Sequence, residues 1–266
     1  MKQVVASVVS LYILPSNPYS SHGRTISNIL IIGLNCPGFQ NAKPGQFVMV
    51  RCGKESLLPR PFTIHQLKND NISLYLGVWK DGQGTNWLLQ RKVGDAVEVF
   101  GPLGNGFSIH QNSQNLLLVA GGIGIAPLHF LAQEALSKGH SVTILFGAQG
   151  KTQLYPENFL PSGIKVVAAT DDGTIGHHGL VTDLLPEFAD WADQIFACGP
   201  VPMYKTMAQM PELKNKSVQI SLEVRMGCGR GVCYGCTLKT RSGLKKVCED
   251  GPVFDLGDIL WDELSL

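Results

Sequence analysis

Apolar residues in the first hundred positions fall into short runs rich in Val, Ile, Leu and Phe, each closed by a turn signal. Val4–Ile13, Thr25–Leu34, Gln46–Cys52, Phe62–Gln66, Ile72–Val78 and Ala96–Phe100 are the expected strands. Turns are expected at Pro15-Ser16-Asn17-Pro18, Cys36-Pro37-Gly38, Lys43-Pro44-Gly45, Asn69-Asp70-Asn71 and Gly101-Pro102-Leu103-Gly104. One helix, Thr85–Arg91 with Thr85 as its N-cap, interrupts the series. Many short strands at this spacing predict a small closed antiparallel barrel.

Beyond Phe107 the pattern changes. Leu116–Ala120 is apolar without a break, as in a strand buried on both faces. A glycine turn follows, then a helix from about Pro127 to Ser137. Val142–Phe146, Ile164–Ala168 and Gln194–Ala197 read as further parallel strands, with helical segments near Val181–Phe188 and Pro202–Gln209. That alternation is the signature of an α/β parallel sheet. The last stretch is a glycine-rich, cysteine-bearing loop with a hairpin. The expectation is a multidomain chain of α+β and α/β character, divided at 1–107, 108–220 and 221–266.

Composition narrows the function. The formal net charge is +1, so no overall field favours nucleic acid or an anionic membrane. Charged residues make up 16%, against roughly 25% in typical soluble domains, which suggests a surface covered by a partner or cofactor. The most apolar run, Leu116 to Ala132, is broken by Gly121, Gly122, Gly124 and Pro127 and does not read as a membrane span. The N-terminus lacks the charged start, long apolar stretch and cleavage site of a signal peptide, so a cytoplasmic location is expected.

Four of the seven cysteines, Cys228, Cys233, Cys236 and Cys248, lie within 21 residues. Their spacing, C-x4-C-x2-C followed by a more distant fourth, is that of a plant-type [2Fe–2S] site. Three thiolates from one short loop require sharp bends, for which Gly227, Gly229, Gly231 and Gly235 are suited. Thr237–Thr240 and Leu244–Val247 flank Arg241-Ser242-Gly243, and a hairpin centred on Ser242 would set Cys236 beside Cys248. A structural zinc site and four ordinary thiols are the alternatives; only Cys233-x2-Cys236 has the paired spacing usual for zinc. Six basic residues and no acidic one lie between Arg225 and Val247, able to tune an anionic cluster, steer an acidic partner, or simply form a solvated face.

Two further groups of residues suggest nucleotide binding. Arg60-Pro61-Phe62-Thr63 opens a strand, and Gly84-Thr85 opens a helix whose free N–H groups suit a pyrophosphate, with Arg60 adding a charge-assisted contact. Asn115–Ala120 runs into Gly121-Gly122-Ile123-Gly124-Ile125-Ala126-Pro127, a strand, glycine turn and helix of the kind that holds a dinucleotide. Cys198-Gly199-Pro200 closes another apolar strand. Asp171-Asp172-Gly173-Thr174 and Gly176-His177-His178-Gly179 follow another strand end, where open α/β sheets bind ligands; for His177 and His178 a polar loop is a commoner explanation than a metal or acid–base site. The stretch Leu145–Lys151 offers only a lysine to a 2′-phosphate, which favours NAD over NADP.

Together these segments resemble the ferredoxin–NADP reductase superfamily. The resemblance implies FAD on the Arg60–Thr63 strand, with Gly77, Val78 and Trp79 beside it and Gly84 and Thr85 at its phosphates. Phe62 stands where tyrosine is commoner. It implies a link between domains at Gly101–Phe107, the superfamily's own glycine turn at 121–127, and a Cys198-Gly199-Pro200 turn placing a nicotinamide ring. With the cysteine loop included, the whole chain resembles the electron transfer subunits of type B dihydroorotate dehydrogenase, most sharply over Ser221–Cys236 and Val247–Phe254. That family implies FAD, a [2Fe–2S] cluster and exchangeable NAD(H). It also implies an FMN-containing catalytic subunit as partner, in an α2β2 assembly serving pyrimidine (UMP) synthesis, with no side chain acting as general acid or base. Glu223 and Arg225 become candidates for ordering the cluster loop or meeting the partner, or form a plain ion pair. The alternatives are a subunit of a ferredoxin-linked NAD(P) oxidoreductase or sulfhydrogenase and, from another class, a zinc-stabilised binding module without redox activity.

Overall fold

The computed structural model describes residues 2–15, 17–21, 23–53 and 55–264. Ser16, inside the first expected turn, lies outside them. The N-terminal strands are β1 (Lys2–Leu14), β2 (Tyr19–Ser21), β3 (Arg24–Asn35), β4 (Phe47–Arg51), β5 (Arg60–Lys68), β6 (Asn71–Trp79) and β7 (Ala96–Leu103). They form one antiparallel sheet in the order β1-β7-β4-β5-β6-β3-β2, and β1 also pairs with β3. Six strands therefore close into a barrel, with β2 added outside on β3. Its interior is filled by Val8, Leu30, Ile32, Val48, Val50, Ile64, Leu74 and Val99, all buried. The helix α1 (Gln83–Leu89) begins earlier than expected: Gly82 is the N-cap and Thr85 lies in the first turn. Thr85 Oγ1 is instead bonded to its own turn, accepting from the Trp79 N–H at 3.2 Å and donating to the Gly82 carbonyl.

The second sheet contains β8 (Asn115–Gly121), β9 (Ser141–Ala148), β10 (Lys165–Thr170), β11 (His177–His178), β12 (Gln194–Cys198), β13 (Ser217–Ser221) and β16 (Val253–Asp255). Its order is β11-β10-β9-β8-β12-β13-β16, parallel except for β16, which runs antiparallel to β13. The glycine turn Gly122–Gly124 leads into α2 (Ile125–Ser137), and α3 (Leu185–Ala189) and α4 (Val201–Gln209) complete the layers. Every residue of α2 from Ile125 to Ala132 is buried, because the helix is covered by the sheet on one side and the barrel on the other. Leu14, Ile29, Ile31 and Tyr75 from the barrel pack into the same cluster.

The C-terminal stretch is woven into both halves. Strands β14 (Thr237–Thr240) and β15 (Gly243–Lys246) form the hairpin, followed by α5 (Val247–Asp250). Phe47, Met49 and Leu103 of the barrel, Leu117 and Ile195 of the sheet, and Leu238, Val247 and Phe254 share one core. The Asn105 N–H donates to the Gly251 carbonyl, so the link between barrel and sheet is tied to this stretch as well. Among the described residues no helix is long and apolar enough to cross a membrane.

Candidate functional site

On the flavin side, β5 pairs with β4 so that Arg60 lies opposite Val50 and Thr63 opposite Phe47. A Cβ added at Gly84 would stand 3.3 Å from the Arg60 stem and 3.4 Å from the Cys52 Cβ. The structure thus brings Arg60 and the first turn of α1 together, although 24 residues separate them. The first intrahelical N–H bond is made by Asn86, which leaves the Gly84 and Thr85 N–H groups available beside a guanidinium. That combination of donors and charge fits a pyrophosphate. Phe62 is half-buried against the barrel core. Trp79 is half-exposed, with the Arg24 guanidinium 4.8 Å from its ring centre. Gly77 packs on Ile26, and the Val78 side chain is wholly inside the barrel, so only backbone at these two positions is free to face a ligand.

The nucleotide side is a cleft of about 510 Å³ above the carboxyl ends of the parallel strands. Gly121, Gly122 and Gly124 line it from β8, Gly199 and Pro200 from β12, and Tyr19, Ile26 and Trp79 from the barrel. Ligands bind at this position in open α/β sheets. Because β8 and β12 are neighbours, their terminal turns touch. A Cβ on Gly124 would overlap the Cys198 carbonyl, so the close approach requires glycine. The Cys198 side chain is 1% exposed and is not part of the cleft wall. Burial, then the nearby Glu223 carboxylate, pushes this thiol well above its ordinary range, with the neighbouring Tyr204 and Ser221 hydroxyls opposing the shift. Tyr204 OH accepts the Gly199 N–H at 2.8 Å and donates to the Ser221 carbonyl at 2.7 Å. It thereby locks the Cys198-Gly199-Pro200 turn to the end of β13.

From β13 the chain passes through Leu222 and Glu223, both on the cleft wall, directly into the cysteine loop. Gly229 and Gly231 have φ of +66° and +75°, and side chains there would strike Met49 and Glu249. Tyr234 also adopts a left-handed conformation, φ +57°, between Cys233 and Gly235. The hairpin differs from expectation by one step. Its turn is the two residues Arg241-Ser242, so Val247 rather than Cys248 stands opposite Cys236. Cys248 reaches Cys236 from the first turn of α5 instead. The quartet is gathered in one place: Cys233 acts on Cys228, and both Cys236 and Cys228 act on Cys248. Backbone N–H groups point at the sulfurs: Arg230 to Cys228 at 3.3 Å and Gly231 to Cys248 at 3.1 Å. Burial raises the Cys228 thiol, but N–H groups of Arg230, Cys233 and Val232 outweigh it and bring it down to about 6. Burial, then Cys236, pushes Cys248 up to about 12. Four neighbouring thiols with backbone N–H donors to sulfur fit a two-iron, four-thiolate group. Among the described residues no three or more His, Cys, Asp or Glu side chains converge on a single-ion site.

His177 and His178 are exposed on β11, where His177 Nε2 lies 3.3 Å from the Asp183 carboxylate. Glu223 and Arg225 are both exposed at the start of the cysteine loop. Asp171, just past the end of β10 where the sequence reading expects ligands to bind, lines the cleft. Other residues on the site were not singled out by the sequence. Gln153 lines the cleft as well, and its Oε1 is buried without a hydrogen-bond partner. Tyr204 carries no motif signal, because its role depends on β13 lying beside β12. Two buried histidines, His65 and His129, meet between barrel and sheet. Only their apolar neighbours could have hinted that they are internal.

A barrel and a parallel sheet sharing one cleft define a ferredoxin reductase-type flavin and nucleotide fold. Solved structures bear this out. A chain of an NADH-dependent reduced ferredoxin-NADP oxidoreductase superposes with a TM-score of 0.84 and 28% identity, over 98% of this chain and 91% of that one. A ferredoxin NADP+ reductase from Neisseria gonorrhoeae gives 0.62 over 79% and 90%, at 15% identity. Residues 223–260 match the iron–sulfur cluster binding domain of dihydroorotate dehydrogenase B. The electron transfer subunit of dihydroorotate dehydrogenase B (NAD(+)) from Geobacillus sp. (strain WCH70) is 40% identical over 82% of this chain and 86% of its own. That from Bacillus cereus (strain Q1) is 41% identical over 83% and 88%. The chain belongs to this family of oxidoreductase electron transfer subunits.

Proposed function

We propose that this chain carries electrons between an FMN-containing dihydroorotate dehydrogenase catalytic subunit and NAD+, using FAD and a [2Fe–2S] cluster, in pyrimidine synthesis. The observation that carries the reading is the continuity of the site: the cleft wall passes through Leu222 and Glu223 straight into the cysteine loop. FAD would supply the exchange between the electron pair of a nicotinamide and the single electrons of the cluster. Arg60 and the first-turn N–H groups of α1 would hold its phosphates, with Pro61, Phe62, Thr63 and Trp79 along its path. The Gly121–Gly124 turn and Gly199-Pro200 would seat the dinucleotide. Cys198 supports that seat through its backbone rather than its thiol. Cys228, Cys233, Cys236 and Cys248 would hold the cluster. In functional terms the chain divides at 1–107, 108–220 and 221–266, and an αβ pair doubled to α2β2 is the assembly proposed.

NAD is the preferred nucleotide. No Lys or Arg lines the cleft among the described residues, while Asp171 presents a carboxylate at a strand end. A carboxylate there accepts ribose hydroxyls and opposes a 2′-phosphate. The similarity to a chain of NADH-dependent reduced ferredoxin-NADP oxidoreductase supports a second reading, a subunit of that kind of enzyme. The two differ in the partner.

The test is an absorption spectrum of the anaerobically purified chain before and after NADH, followed by identification of the co-purified subunit. Flavin and cluster bands that both bleach, with an FMN dihydroorotate oxidase bound, are the expected result. Zinc in place of iron would leave the reductase and overturn the cluster. A partner carrying a longer iron–sulfur chain would favour the second reading.

A further inference from the structure

Between the flavin strand and the nucleotide helix lies a buried polar joint that is not part of the cleft wall. His65, two residues past Thr63 on β5, is 2% exposed, and His129, in the second turn of α2, is 1% exposed. Their rings stack at 4.3 Å with 24° between planes. His65 Nδ1 lies 2.9 Å from Ser73 Oγ and its Nε2 lies 3.0 Å from the Tyr155 hydroxyl. His129 faces two carbonyl oxygens, that of His65 at 3.3 Å from Nδ1 and that of Phe159 at 3.0 Å from Nε2. The Tyr155 ring packs 5.6 and 5.4 Å from the two imidazoles.

Apolar packing alone tolerates small slides between layers, and interfaces between two halves of a chain move unless something restrains them. A buried hydrogen-bonded joint is less forgiving, because a slide leaves polar atoms unpaired where water does not reach. Here the two anchored elements are the ones that matter. β5 begins with Arg60–Thr63, and α2 begins where the Gly121–Gly124 turn ends. Resting on the functional reading above, we propose that His65, His129 and Tyr155 are positioning residues that fix the separation between the flavin and nicotinamide seats. The step they serve is transfer of a hydride, with its electron pair, from NADH to oxidised flavin, leaving NAD+, and its reverse. Misplacement by about 1 Å in such a geometry costs up to about a hundredfold in rate.

The variants are His129→Phe, which keeps a stacked ring and removes the ring N–H that donates to one of the two carbonyls, His129→Gln, which restores an N–H donor, and Tyr155→Phe, which removes one hydroxyl. Each is purified with FAD and cluster loaded. Flavin bleaching by NADH is followed by stopped flow, with NADH and with NADH deuterated at the transferred hydrogen. Amide exchange across β5 and α2 is read on the same samples.

The expected result for His129→Phe is bleaching at saturating NADH slowed about tenfold, half-saturation changed less than about twofold, and a larger isotope effect. Seam amides should exchange faster, Gln should restore most of the rate, and Tyr155→Phe should fall between. Should His129→Phe not fold, Tyr155→Phe decides on the same criteria. Unchanged bleaching and isotope effect in a flavin-loaded variant would overturn the inference and leave packing as the joint's only role. A raised half-saturation at unchanged maximal rate would overturn it too. Wild-type flavin that NADH leaves coloured would overturn the functional reading, and this inference with it.

Discussion

At the scale of single residues, charge and hydrogen-bonding capacity decide more than shape. Arg60 is beside α1 only because β5 and the turn at Gly82 bring it there, and its stem is what a Cβ at Gly84 would touch. Replacing Arg60 by Ala removes a charged donor worth about 1.5–3 kcal/mol. FAD should therefore bind about ten- to a hundredfold more weakly, measured by flavin release on dilution or by fluorescence titration; an unchanged affinity would move the phosphates elsewhere. On the proposed reading Asp171 acts by excluding a 2′-phosphate. Asp171→Ala should raise the NADPH-to-NADH ratio of kcat/KM by about an order of magnitude, since like charges opposed across a site cost several kcal/mol. A ratio that stays put would mean the carboxylate faces away from the ribose. Cys233→Ser should abolish the cluster while FAD remains, read from iron content and the visible spectrum. Full cluster occupancy in that variant would remove Cys233 from the ligand set.

At the scale of elements, what was legible in the sequence is what local pattern controls. The six barrel strands were expected within a few residues of where they lie, because alternating runs and Pro–Gly turns are local signals. Leu116–Ala120, apolar on both faces, marked β8 as a central parallel strand. Misses came where tertiary pairing rules. β13 and the antiparallel β16 are short and owe their existence to β12 beside them. The hairpin turn was placed one residue off, since Ser242 and Gly243 both suit turns and only the ladder Thr240↔Gly243 tells them apart. That one residue moves Cys248 from the ladder to α5, while residues 223–260, which carry all four cysteines, match an iron–sulfur cluster binding domain as a whole. Contacts between separate elements, such as Gly124 against the Cys198 carbonyl, had no local signature beyond the glycine itself. They make a sharp prediction. Gly124→Ala must push the ends of β8 and β12 apart, so KM for NADH should rise with FAD and iron content unchanged. Loss of all three together would point instead to a folding defect.

At the scale of the whole molecule, barrel and sheet are joined through buried histidines, and that makes their union sensitive to acid. Burial, then the neighbouring His129, lowers His65 well below its ordinary 6.5. Burial lowers His129 too, against hydrogen bonds to the Phe159 and His65 carbonyls. The titratable groups facing the pair are each other, Tyr75 from β6 and Tyr155 from the stretch after β9. An unfolded histidine takes up its proton near 6.5, whereas these two in the folded chain do so only at lower pH. Between those values the unfolded chain binds more protons, so stability rises with pH through that window. The contribution is fully present above about pH 6.5 and is lost progressively on acidification, levelling off once the folded histidines are protonated as well. Asp172 and Asp193, lowered from 3.8 by hydrogen bonds, act in the opposite part of the acid range: their contribution holds above 3.8 and fails only below it. The two effects are therefore separable. Urea midpoints measured from pH 8 down to 5 should fall in the wild type, and His129→Phe should show a shallower fall over the same interval. Parallel pH profiles for the two proteins would mean that the histidine joint stays closed through protonation, with the acid response arising elsewhere in the chain.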